Sequence, residues 1–184
     1  MTALTAQERY GRAADGFATA LRGVGQAAWT AASPCEGWTA RDVAAHVIET
    51  HRRILTRLHG GDPTPPDSTQ DLVAAWEVES DAVRSALADP ERADTQVQGM
   101  GGEQPFSELA GTLLAADTLI HTWDLARATG QDERLDAAAT TAAQEFLEPN
   151  DDMLRTPGGF GPKLEAPADA DAQTRFLAFV GRQA

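Results

Sequence analysis

Residues 36–47 read Glu36-Gly37-Trp38-Thr39-Ala40-Arg41-Asp42-Val43-Ala44-Ala45-His46-Val47, and this stretch decides the fold class. Thr39 stands where a helix N-cap belongs. Its hydroxyl can accept from the backbone N–H three residues on, and Asp42 at that position can accept in return, as in a capping box. Trp38, just before the cap, is placed to pack on Val43 as a hydrophobic staple. Beyond the cap, Val43, Val47, Ile54 and Leu58 recur at helical spacing, which predicts a helix to about His59. Gly60-Gly61-Asp62-Pro63-Thr64-Pro65-Pro66 then forbids its continuation.

The same periodicity extends outward in both directions. Leu4, Tyr10, Ala14, Phe17, Leu21 and Val24 mark a first helix over about residues 3–29, weakened by Gly16, Gly23 and Gly25. Ser33-Pro34-Cys35-Glu36-Gly37 is the loop between the two. A third helix over about 69–88 carries Leu72, Trp76, Val83 and Leu87 on one stripe. Residues 89–104 hold Pro90 and several glycines and read as a loop, with room for a short strand-like piece but no convincing strand. A fourth long helix begins near Pro105, a favoured first-turn residue, and stops at Gly130, a C-cap residue. A fifth covers about 134–147, an irregular extension fills 149–170, and a short last helix covers about 171–181. Four helices of about 20 residues, with connections of roughly ten or more, predict an all-α antiparallel bundle. The chain reads as a single domain over 1–184 whose part from 149 to 184 is an irregular C-terminal extension.

Composition narrows the functions available. The net charge of −13 repels a duplex or an anionic bilayer, so neither nucleic acid nor membrane is an expected partner. Residues 1–12 contain no apolar run of signal-peptide type, and no stretch has the apolar length of a membrane span, which makes the cytoplasm the default location. The single cysteine, Cys35, excludes an internal disulfide and a Cys-rich zinc site. With no basic residue visibly beside it, Cys35 reads as an inert small residue. The cluster from Gly99 to Gly102 lacks phosphate-loop spacing. Trp29, Trp38, Trp76 and Trp123 read as core or interface anchors rather than a substrate cage. A homodimer is compatible with the sequence.

The fourth helix carries the chemistry. On a wheel stepped at about 100° per residue, Asp117, His121 and Asp124 fall within roughly 80° of Leu113. That places them inside the apolar arc of Leu109, Ala110, Leu114, Ala116 and Ile120. A buried carboxylate needs compensation. Asp117 and His121, four apart, lie one turn from each other and can chelate one ion; the alternative is a structural Asp–His hydrogen bond. Asp124, about 10 Å along the axis from Asp117, reads as a supporting acceptor rather than a ligand of the same ion. On the second helix, periodicity elects His51 as the inward histidine, with a satisfied core histidine as its alternative. His46 lies to one side, near Thr50, Arg53 and Arg57.

Residues 36–47 resemble the second-helix motif of the DinB-like superfamily. Leu113-Leu114-Ala115-Ala116-Asp117-Thr118-Leu119-Ile120-His121-Thr122-Trp123-Asp124-Leu125-Ala126-Arg127-Ala128-Thr129-Gly130 resembles its matching later helix. The tail, Gly159-Phe160-Gly161-Pro162 and Leu177-Ala178-Phe179-Val180-Gly181-Arg182, is similar as well. The nearest group is the metal-binding N-terminal domain of mycothiol-dependent maleylpyruvate isomerase and its actinobacterial relatives. The resemblance implies an up-down-down-up four-helix bundle holding a divalent metal through one histidine on the Trp-Thr helix and an acid-x-x-x-His pair. Residue by residue these are His46, Asp117 and His121. The motif thus elects His46 where the wheel elects His51, and we follow the motif. The isomerase has Glu where this chain has Asp117, and many DinB-like proteins have His; the shorter arm leaves the metal's identity open.

Two histidines and a carboxylate leave coordination positions free, the pattern of a catalytic zinc site. Imidazole suits zinc and nickel best. The resemblance implies a metal-dependent transferase of a low-molecular-weight thiol of the mycothiol type, acting on a small electrophile. No counterpart of the isomerase's C-terminal domain follows residue 147, so maleylpyruvate isomerisation itself is not expected. The competing class is non-catalytic: a structural metal, or a stress-linked module whose apolar groove takes a ligand. An open position beside a cavity would separate the two.

Overall fold

A computed structural model describes residues 3–61, 71–155 and 160–184. Residues 62–66 of the Gly-Pro break, the expected start of the third helix at 69–70, and Gly159 of the tail lie outside these. The helices are α1 (Ala6–Arg22), α2 (Ala40–His59), α3 (Leu72–Ala88), α4 (Pro90–Ala93), α5 (Phe106–Leu109), α6 (Ala115–Thr129), α7 (Ala137–Leu147), α8 (Asp151–Leu154) and α9 (Ala172–Phe179). Their starts are chemically marked. Thr5 and Thr39 head complete capping boxes with Glu8 and Asp42, and Asp71, Asp89, Asp136 and Asp171 cap with their carboxylates. The first helix is shorter than its stripe suggests. Gly23 caps α1, and a 3₁₀ turn, Gln26–Thr30, follows.

Four long helices make the bundle, and their side-chain pairs give its directions. His51 meets Trp76 and Arg52 meets Glu79, so α2 and α3 run parallel. Gly16 faces Thr122, and Gly111 lies against Ala6, so α1 and α6 run parallel too. Gln7 reaches the carbonyl of Leu87 while Arg22 reaches Glu77, so α1 opposes α3. The order is up-down-down-up, an all-α DinB-like bundle. That is the order the resemblance implies, and it corrects the all-antiparallel arrangement expected from helix lengths, since α2 and α3 run parallel.

Two other expectations change. Residues 96–98 and 103–105 form an antiparallel hairpin, β1 (Gln96–Gln98) and β2 (Glu103–Pro105), and the glycine cluster is its turn, closed by the Gly99 N–H donating to Gly102 O at 2.8 Å. The fourth helix runs unbroken over 106–129, but it is not regular α-helix throughout. A π turn, Ala110–Leu114, separates α5 from α6. There α1 comes so close that a Cβ on Gly111 would lie 2.7 Å from Ala6 Cα. The wider turn shifts the phase of the wheel, and Leu113, its assumed centre, is only half-buried.

The core has two clusters, with α6 between them. One joins α1, α2, α3 and α5 around Tyr10, Phe17, Val47, Trp76 and Phe106. The other packs Leu119, Ile120 and Trp123 of α6 against Leu147, Leu154, Phe176 and Leu177. Hence α6 is buried almost all round. The extension after α7 covers the face of α6 that a bare four-helix bundle would leave open. No helix among the described residues is long and apolar enough to cross a membrane.

Candidate metal centre

The capping box at Thr39 starts α2 so that His46 faces α6. The Asp117–His121 spacing stacks those two side chains one turn apart opposite it. Asp117 Oδ1 lies 3.7 Å from His46 Nε2 and 3.7 Å from His121 Nε2. The three ligand atoms sit within 4.8 Å of one another. Those separations are too long for hydrogen bonds. They are close to the roughly 3.3 Å between ligand atoms around a tetrahedral ion with bonds of about 2.0–2.1 Å. Asp117 Oδ2 is buried without a hydrogen-bond partner. A buried carboxylate with one orphaned oxygen, and the other between two imidazole nitrogens beyond hydrogen-bond reach, is costly, and a cation would relieve it. The donor set fits a divalent metal.

His121 is held from behind. Its Nδ1–H donates to Asp124 Oδ2 at 2.9 Å, which leaves Nε2 for the ligand cluster. Asp124 is fully buried, and Arg182 grips it with Nε at 3.1 Å and Nη2 at 2.9 Å. A carboxylate behind a ligating imidazole is the usual support of such sites. Burial alone would raise the Asp124 carboxyl, but the bonds from His121 and Arg182 outweigh it and hold it down at about 2. Burial would likewise lower His121, yet the Asp117 charge, the bond to Asp124 and Cys35 raise it to about 10. Without metal, His121 is therefore an imidazolium. The stability this adds to the metal-free protein is complete below about 6.5 and lost as pH rises through about 10.

Cys35, read from sequence as inert, belongs to this cluster: its thiol donates to Asp124 Oδ2 at 3.3 Å, and Arg182 Nη2 approaches the sulfur at 3.3 Å. The basic neighbour missing from the local sequence comes from 147 positions away. Trp38, read as an anchor, also stacks on the site, its ring 4.9 Å from that of His46 and 6.1 Å from that of His121. Both residues line a cavity of about 340 Å³ that His46, Asp117 and His121, the candidate ligands, also line. Leu113 and Ala116 form its floor, and Leu147, Leu154 and Phe160 come from the C-terminal segment. Arg182 was legible only as part of the tail motif, and the role of the apolar wall had no local signal.

His51 lies apart from the cluster. Its Nδ1–H donates to Val47 O at 2.8 Å, and its Nε2 accepts from the Tyr10 hydroxyl at 3.1 Å. Both nitrogens are engaged and the ring is fully buried, so the wheel identified a core histidine. Burial lowers its pKa to about 4. The unfolded chain takes up a proton near 6.5 that the folded chain refuses until about 4. Stability should therefore fall across that window on acidification, by roughly 3 kcal/mol. His121 contributes no slope there, being charged in both states below its unfolded value. Urea unfolding of metal-free protein at pH 7 and pH 4.5 measures the fall. His51→Gln should flatten it, and an equal slope in both proteins would assign it elsewhere.

The sequence model of the mycothiol maleylpyruvate isomerase N-terminal domain family matches residues 10–126, which include all three ligand-cluster residues. Similar proteins include two of Mycobacterium tuberculosis, from strain CDC 1551 / Oshkosh and strain ATCC 25618 / H37Rv, each described as uncharacterized. Each is 30% identical over 176 residues, covering 93% of this chain and 94% of its own length. No solved structure matches. With that match and the DinB-like bundle, the chain belongs to the mycothiol maleylpyruvate isomerase N-terminal domain family.

Proposed function

We propose that this protein is a metal-dependent thiol S-transferase that takes a low-molecular-weight thiol of the mycothiol type and delivers it to a small electrophile. The observation that carries the reading is the placement of His46, Asp117 and His121 at the wall of a cavity of about 340 Å³, a volume suited to a small molecule. A purely structural ion has no need of that access. Zinc or nickel held by the two Nε2 atoms and Asp117 would supply the positive charge that keeps a bound thiol in its thiolate form near neutral pH. The chain's own groups do the rest. Asp124 keeps the Nδ1 proton on His121, so the imidazole presents Nε2 in one orientation. Trp38 fixes the tilt of both rings from outside. Leu113, Leu154 and Phe160 give the cavity apolar walls, whose low polarisability strengthens the charge interactions beside them. The partner of this site is a small molecule, and a surface of net charge −13 gives nucleic acid and anionic membrane no part in it.

Cobalt-substituted protein tests this. Titration with mycothiol, and with simpler thiols as controls, should add a sulfur-to-cobalt charge-transfer band in the near ultraviolet. The band should appear equally in Cys35→Ser, so that the sulfur is the added one, and be absent in His121→Ala. Metal uptake should weaken as pH falls, because His121 holds a proton up to about 10 that the ion must displace. A fully occupied cobalt site that no thiol perturbs would make the structural-metal reading the better one.

A further inference from the structure

His121 is shared by two donor clusters. Nε2 faces His46 and Asp117; Nδ1 faces Asp124 and Cys35, and the ligand atoms of Cys35, His121 and Asp124 also lie within 4.8 Å of one another. A thiol, an imidazole and a carboxylate at that spacing are a competent set for a soft divalent ion. A cation already stands there. The guanidinium of Arg182 donates to both oxygens of Asp124 and reaches Cys35 Sγ, with its remaining contact from Nη1 to Val180 O at 3.2 Å.

Its position is enforced by the backbone. The end of α9 closes as a Schellman turn: the Gly181 N–H donates to Ala178 O at 3.1 Å and the Arg182 N–H to Leu177 O at 2.7 Å. Gly181 has φ +78°, and a Cβ there would meet Pro162 O at 3.0 Å. The turn aims Arg182 back at α6, and the buried Asp124 holds it.

We propose that Arg182 is the resident cation of a second, latent metal site formed by Cys35, His121 and Asp124, and that by filling it Arg182 confines a metal ion to the Nε2 side of His121. Arg182 is thus a positioning and specificity residue, acting through Asp124 and Cys35 rather than on a substrate. The inference rests on the reading of His46, Asp117 and His121 as the ligand set. Removing the guanidinium leaves Asp124 with His121 alone and takes the Arg182 contact from Cys35 Sγ, and a divalent ion is a group that can replace it. Cys35 then binds as thiolate and His121 through Nδ1, each releasing the proton on its ligating atom to solvent, while His121 keeps a proton on Nε2.

Cobalt spectra read this directly, because only the latent site contains a protein sulfur. The native protein should bind cobalt with no charge-transfer band before thiol is added. Arg182→Met should show that band with no added thiol, and Arg182→Met/Cys35→Ser should lose it. Affinity at the original site should drop about 10–100-fold in Arg182→Met, the usual effect of disturbing the support of a ligating histidine. Circular dichroism checks that the variant is folded. Arg182→Lys replaces it if it is not, since one ammonium cannot hold both carboxylate oxygens and the sulfur, and the same band is expected. A folded variant of either kind with no band and unchanged affinity overturns the proposal, as does a band in native protein before thiol is added. The two readings fail separately. Native protein that takes up no cobalt counts against the transferase site, whereas Arg182 variants without the band, beside a native site that loads normally, count against the latent one.

Discussion

Replacing His121 with alanine is expected to reduce bound metal from stoichiometric to background. His121 belongs to both donor clusters, so no alternative set of three survives its loss among the described residues. The remaining pair, His46 and Asp117, offers two ligand atoms where a stable site needs three or more. His51→Ala makes the control. That ring is fully buried against Tyr10 and the Val47 carbonyl, so its loss should lower stability and leave metal content largely unchanged. Metal analysis of protein purified without affinity-tag nickel, before and after loading with zinc, decides it. Metal retained in His121→Ala and lost in His51→Ala would move the ligand role to the residue the helical wheel elects.

The largest effect on stability is expected at Trp76. It is 1% exposed, meets Phe17 edge-on with ring centroids 4.6 Å apart, and meets His51 at 4.7 Å. It thus pins α1, α2 and α3 at one point. Trp76→Ala should cost about 3–5 kcal/mol, of which roughly 0.5–1.5 is the edge-to-face geometry rather than area. That is a large share of the roughly 5–15 kcal/mol of a typical domain. Urea unfolding should show a lower midpoint with an unchanged slope. Below the transition the variant should still bind metal, because Trp76 does not touch the α2–α6 cluster. A loss under about 1 kcal/mol would show that the site repacks and that the three helices are held elsewhere.

Some of this was written locally. The Thr39–Asp42 box starts α2 where expected, because capping uses groups three residues apart. Gly130 ends α6 with φ +68°, as a left-handed C-cap glycine should. Thr5 and Glu8 carry the same box at the start of α1, a local signal that the apolar stripe beginning at Leu4 hides. The Asp117–His121 pairing is also local, a consequence of helical pitch. Election of His46 over His51 came from the resemblance, not the wheel. Apolar periodicity finds the centre of the buried face, and a ligand that must reach a cavity sits at its edge.

The sequence by itself determined a predominantly helical chain, the start and stop of α2, the stops of α3 and α6, and an acid-histidine pair on one face of the fourth helix. Those features depend on backbone and side-chain groups within about four residues of each other, whose geometry is set as soon as a helix forms. The parallel pairing of α2 with α3 was implied by the resemblance and not by any local pattern; the tertiary structure alone decided the π turn where α1 crowds Gly111. It alone decided the cavity beneath the C-terminal segment and the grip of Arg182 on Asp124 and Cys35, 58 and 147 positions away. No local pattern encodes such contacts. They form because two separate apolar clusters must both bury α6, and closing the second brings a guanidinium down on a carboxylate that could not stay buried and charged alone.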